Sequence, residues 1–184
     1  MKIENPSYSL DASPLLVIYC ENLFPTPWLP FLLTYCFLRW TPIVNFNGAY
    51  VHHPKADDFE TKHEVLDVDI ARSIIEALQK ANVTNIIAEV RDSVFINNHD
   101  PRLFEGFSMG NPRIQTGNLL VHLKESPTSI LIEAEESKIP EIKNMLTHFY
   151  ADHIEHRRWG APFPVIEIVK LGINKARGIE QVRQ

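Results

Sequence analysis

The stretch Pro164-Val165-Ile166-Glu167-Ile168-Val169-Lys170-Leu171-Gly172-Ile173-Asn174-Lys175-Ala176-Arg177-Gly178 runs from a β-rich segment through a glycine turn into the start of a helix. Asn174 is a good N-cap, because its side-chain carbonyl can accept a backbone N–H from the first turn, and Lys175 then falls at the first helical position. The positive end of the helix dipole disfavours a cation there. The lysine therefore points to an anion held between itself and the helix N-terminus, with an ordinary exposed lysine as the alternative.

The rest of the composition is that of a soluble globular chain. Its 184 residues suffice for one substantial domain, or a domain with a small appendage. Hydrophobic residues at 45% and charged residues at 22% are ordinary, and a net charge of −5 argues against nucleic acid as a partner. Cys20 and Cys36 lack the spacing of a metal knuckle or a disulfide framework and read as thiols in a reducing cytoplasm. The most apolar run, Trp28 to Leu38, is interrupted by Pro30 and falls short of the ~20 residues that span a bilayer, so no membrane segment is expected. No secretory leader pattern follows Met1.

Residues 1–40 differ in character from the rest of the chain: they are rich in aromatics and prolines, hold few charges and contain no glycine. Leu15 to Tyr19 could be a buried strand, but this segment matches nothing downstream. From Thr41 the pattern becomes regular. Pro42 to Phe46 and Ala49 to His52, joined by the turn signal Asn47-Gly48, read as a hairpin, and the polar stretch from His53 to Glu60 as a loop. Asp67 or Asp69 caps a helix with Ile70, Ile74, Ala77, Leu78 and Ala81 on its apolar stripe. Two strands come next, Asn85 to Val90 and Ser93 to Asn97, turned at Arg91-Asp92. His99 to Gly117 reads as a long loop or an irregular short helix, Leu119 to Leu123 and Ser129 to Ala134 as strands. A helix from about Lys138 carries Ile139, Ile142, Leu146 and Phe149 on one face. His153 to Arg158 is extended, Trp159 to Pro162 turns, and Val165 to Val169 is a strand. Strands in adjacent pairs with grouped helices predict an α+β fold, a mainly antiparallel sheet layered on one face by helices.

The well-marked catalytic motifs are absent. There is no Gly-x-Ser-x-Gly, no phosphate-cradling glycine loop and no dinucleotide fingerprint. Asp67-Val68-Asp69 opens an amphipathic helix rather than ending a buried strand, so helix capping explains it better than a metal-dependent nucleophile. His148, His153 and His156 do not share a face, which spoils convergence on a metal, and His52-His53 beside a turn reads as solvated. Arg102, Phe104, Phe107 and Arg113 could contact a ligand from the long loop, or simply pin that loop.

From Thr41 onward the chain resembles the Cof-type branch of the haloacid dehalogenase superfamily. Asn47-Gly48-Ala49 looks like the Asn-Gly-Ala that precedes the family's inserted cap domain. Glu167-Ile168 followed by Gly172-Ile173-Asn174-Lys175 resembles the strand and turn by which the chain returns from cap to core. The resemblance implies a cap over residues 61–169, remnants of a Rossmann-like α/β core at 41–60 and 170–184, and no family counterpart for 1–40. It implies magnesium-dependent phosphatase chemistry on sugar phosphates or similar small phosphomonoesters. Lys175 matches the family's catalytic, phosphate-contacting lysine, which also steadies the nucleophilic carboxylate, with Asn47, Gly48 and Asn174 as substrate-binding positions. Ala176 departs from the family, which has glycine after the lysine.

The family's Asp-x-Asp-Gly-Thr nucleophile motif and its Gly-Asp-x-x-Asn-Asp metal loop are both missing from this chain. Residues 1–40 hold one aspartate, Asp11, and only nine residues follow Lys175. The magnesium ligands are thus absent, and the expectation is a truncated protein, inactive alone, whose partner, if any, is a small phosphorylated metabolite. Two rivals stand beside it: a non-catalytic α+β module that binds a small ligand, and a fragment that self-associates or docks through its apolar N-terminal segment.

Overall fold

The computed structural model describes residues 42–91, 93–101, 112–159 and 165–182. The N-terminal segment with Cys20, Cys36 and the Trp28 to Trp40 run lies outside the described residues, as do Asp92, Arg102, Phe104, Phe107 and the turn after Trp159.

Two sheets organise the chain. Strands β1 (Ile43–Asn45), β2 (Tyr50–His52) and β3 (Lys62–His63) form a small antiparallel sheet. A larger sheet has the order β6-β5-β4-β7-β9-β8, built from β4 (Asn85–Val90), β5 (Ser93–Ile96), β6 (Arg113–Thr116), β7 (Ser129–Glu133), β8 (Ile154–Arg158) and β9 (Val165–Lys170). Every pairing in it is antiparallel except β5 with β6, which is parallel.

Helices α1 (Val68–Lys80), α2 (Leu119–His122) and α3 (Ile139–Tyr150) lie on one face of that sheet, and α4 (Lys175–Val182) packs on the β1–β2 hairpin. Because side chains alternate across a strand, Ile86, Ala88, Ile130, Ile132, Ile166 and Ile168 point to the helices and make the main core with Ile74, Leu78, Ile142 and Leu146. The opposite face carries Ile87, Val94, Ile96 and Leu131. Among the described residues no helix is long and apolar enough to cross a membrane.

Asp67 is the α1 cap, its Oδ1 accepting from the Asp69 and Ile70 amides at 2.9 and 3.1 Å. The buried stripe is Ala71, Ile74, Ile75 and Leu78, with Ile70, Ala77 and Ala81 only half-buried at its rim.

Four expectations need correction. Leu119 to Leu123 is one turn of helix, not a strand: Asn118 caps it through the Leu120 amide (3.0 Å), and Leu119 and Leu123 are buried together one turn apart. The long loop ends in a strand, since residues 113–116 pair with β5. Phe149 is 68% exposed; Tyr150, one turn on from Leu146, packs against the core instead, its hydroxyl 3.0 Å from Ser73 Oγ. His52 and His53 are half-buried, His52 beside the Tyr50 ring (4.9 Å between centroids) and His53 Nδ1 accepting from the Lys55 and Ala56 amides.

Leu146 is fully enclosed between α3 and the sheet. Leu146→Ala should cost about 2–5 kcal/mol of unfolding free energy, measured from urea denaturation, whereas Phe149→Ala should be close to neutral.

Candidate active site at the hairpin–helix junction

The β1–β2 turn is made of three consecutive residues with positive φ: Phe46 (50°), Asn47 (53°) and Gly48 (100°). Asparagine tolerates this region better than most residues and glycine without cost, which is why Asn-Gly stands here. Turned this way, Asn47 directs its side chain to the larger sheet, and its Nδ2 donates to both oxygens of Glu167, 2.8 and 2.7 Å away. Gly48 lies against the start of α4, where a Cβ would come 2.4 Å from the Asn174 carbonyl oxygen. Gly178 meets it from the other side, since a Cβ there would fall 2.7 Å from Gly48 Cα and 2.6 Å from Val44 Cγ1. Two glycines 130 positions apart are thus the closest approach of hairpin and helix.

Asn174 caps α4 as its residue type predicts, Oδ1 accepting from the Arg177 amide at 3.0 Å, and Lys175 is the first helical residue. Both are exposed, as is Ala176. The structure therefore brings Asn47, Gly48, Asn174 and Lys175 into one junction. Glu64 ties the same junction together: its carboxylate bridges Lys170 and Arg177, and Lys170 above all holds its pKa below the usual carboxylate range. Arg113 lies elsewhere, exposed on the edge strand β6. His148 and His153 are exposed, and His156 Nε2 is 2.9 Å from Thr147 Oγ1.

Sequence reasoning missed the carboxylates beneath the junction. Glu167 is only 5% exposed, and Trp159 Nε1 reaches its Oε2 at 3.5 Å. Glu89 in β4 shares its face, hydrogen-bonded by the Ser129 hydroxyl. Desolvation by burial pushes the Glu89 pKa up to about 7; the Ser129 hydroxyl opposes the shift and the Glu167 charge adds to it. The available signal was a glutamate inside each of two mostly apolar strands, a placement carboxylates avoid unless they are partnered.

Gly178→Ala should lower the unfolding free energy by roughly 2 kcal/mol or more, because backbone and a branched side chain both crowd the new methyl; urea denaturation checks it. Glu89 titrates higher in the folded chain, so its contribution to stability is complete below about pH 4.5 and is lost as pH rises through about 7. Glu89→Gln should then stabilise the chain above pH 7, by on the order of 2 kcal/mol, and change little near pH 4.5, as paired urea titrations would read.

The sequence profile of the haloacid dehalogenase-like hydrolases matches residues 32–184. The 5-amino-6-(5-phospho-D-ribitylamino)uracil phosphatase YitU of Bacillus subtilis (strain 168) is 43% identical over 142 residues, which are 77% of this chain and 53% of that protein. The chain spans little more than half the length of the curated relatives it matches. Among solved structures, a haloacid dehalogenase-like hydrolase from Bacteroides thetaiotaomicron aligns with a TM-score of 0.68 at 17% identity, over 82% of this chain and 56% of that one. TM0651 from Thermotoga maritima aligns with a TM-score of 0.65 at 20% identity, over 83% and 56%. The chain belongs to the haloacid dehalogenase-like hydrolase family.

Proposed function

We propose that this chain carries the cap, residues 61–169, and the adjoining core segments, 41–60 and 170–184, of a phosphatase for small phosphomonoesters. The observation that carries this reading is the junction itself. The chain leaves the β1–β2 hairpin and returns through β9 to the same place, with Asn47 bonded to Glu167 and Gly48 against Asn174, as an inserted cap requires. The name of the Bacillus subtilis relative supports a phosphorylated metabolite as substrate, a sugar phosphate or a phosphorylated polyol on a larger body. Two cysteines without disulfide or metal spacing accord with the reducing cytoplasm as its setting.

In this reading the phosphoryl group lies at the N-terminus of α4. Lys175 supplies a positive charge there, and the first-turn N–H groups and helix dipole add to it. As negative charge builds on the phosphoryl oxygens, a preplaced cation and N–H donors stabilise it without reorganising. Asn174 keeps the helix start in place through its cap, while Asn47 and Gly48 hold the hairpin against it. The family's chemistry passes through an aspartyl phosphate, and its nucleophile motif is not in this sequence. Magnesium neutralises phosphoryl charge in such reactions, yet among the described residues no group of three His, Cys, Asp or Glu side chains could hold it. The described residues offer that ion no such group, and the inactivity of the chain alone is part of what we propose.

The purified 184-residue chain should not hydrolyse p-nitrophenyl phosphate in magnesium above the buffer rate. Inorganic phosphate should shift the backbone amide resonances of residues 175–178 in the wild type and not in Lys175→Ala. Magnesium-dependent turnover abolished by Lys175→Ala would refute the inactivity, and phosphate shifts untouched by that substitution would refute the lysine's role.

A further inference from the structure

On the helix-covered face of the larger sheet, away from Glu167, a groove of about 650 Å³ opens between α2 and strands β5 and β6. The pairing register separates the two places: Glu89 pairs with Val94 and both face the helix-free side, so their neighbours Ser93 and Phe95 face the groove. Arg91, Arg113 and Lys124 line it, opposed by the single carboxylate of Glu125. Among the described residues no ion pair or hydrogen bond engages the side chains of these three cations. In a chain of net charge −5, three like charges gather on one cavity with one carboxylate beside them.

The walls are fixed in place. Arg91 holds a left-handed backbone (φ 52°) in the β4–β5 turn, a conformation arginine rarely adopts. Helix α2 is pinned at both ends: Asn118 caps its start, and Arg72 Nη1 donates to the Leu120 and Leu123 carbonyls at 2.7 and 3.0 Å. The apolar part of the lining is Val121, 60% exposed, and the Phe95 ring, stacked on His122 with 6.1 Å between centroids and 15° between planes. The volume is that of a metabolite pocket, within the ~300–1,000 Å³ such sites occupy.

We infer that this groove is a second binding site, for a phosphorylated ring compound of the nucleotide class. Its phosphates would be held by Arg91, Arg113 and Lys124, and its ring laid on Val121 and Phe95. Guanidinium groups match phosphate oxygens in charge and in fork geometry, and the exposed valine and ring edge give the base an apolar surface. The site is independent of the junction around Lys175, which lies with Glu167 on the other side of the sheet.

Isothermal titration of the full chain with ADP tests it, with inorganic pyrophosphate and adenosine as separate probes. ADP should bind, and Arg113→Glu and Lys124→Glu should each weaken it about tenfold or more. Both substituted residues are exposed, and circular dichroism of each variant shows that the fold persists. Pyrophosphate and adenosine should each bind more weakly than ADP. No ADP binding at millimolar concentration, or equal affinity in the charge-reversed variants, would overturn the inference. Pyrophosphate binding as tightly as ADP would overturn the ring-bearing part of the ligand.

Discussion

Asn47 reaching across to Glu167 is the interaction on which the arrangement of the two sheets depends. A carboxylate in the middle of an apolar strand loses its hydration on folding, a cost of several kcal/mol unless polar partners replace the water. Here the partners are the amide of Asn47 and the indole of Trp159. The amide can reach only because the turn takes three left-handed steps, and those steps also lay Gly48 flat against the start of α4. Satisfying one buried charge thus orients the hairpin and seats the helix that presents Lys175.

The two acids beneath the junction do different work. Glu167 has neutral donors on both oxygens and serves as the anchor of the hairpin. Glu89 has one hydroxyl and a like charge nearby, and burial pushes it toward the neutral form. A proton held on Glu89 removes the repulsion that two carboxylates on one sheet face would otherwise feel.

Much of this was legible in the sequence, and the misses have a common cause. The α1 and α3 stripes and strands β4, β5, β7 and β9 follow from local periodicity, because each buries one side against the same core. The cap at Asn174 and the turn at Asn47-Gly48 follow from residue type. Leu119 to Leu123 failed because a short apolar run has no period to read, and the decision fell to Asn118 and to Arg72, a residue 48 positions from the carbonyl it binds. Strand β6, Arg-Ile-Gln-Thr, was hidden because it is an edge strand with polar side chains and a non-local, parallel partner. Glu167 could be noticed in its strand, but its partner 120 positions away could not.

That separation also bears on how the chain reaches its fold. The strand pairings of the larger sheet join residues at most 48 positions apart, while Asn47 to Glu167 and Glu64 to Arg177 span 120 and 113 positions. Closing so long a loop costs more chain entropy than any hairpin, and the two ends gain nothing until β9 is already in register to offer Glu167. On loop-closure entropy alone, the junction forms after the shorter-range pairings of the larger sheet. The lysine that the sequence singles out stands on a part of the fold that the shorter-range pairings must place first.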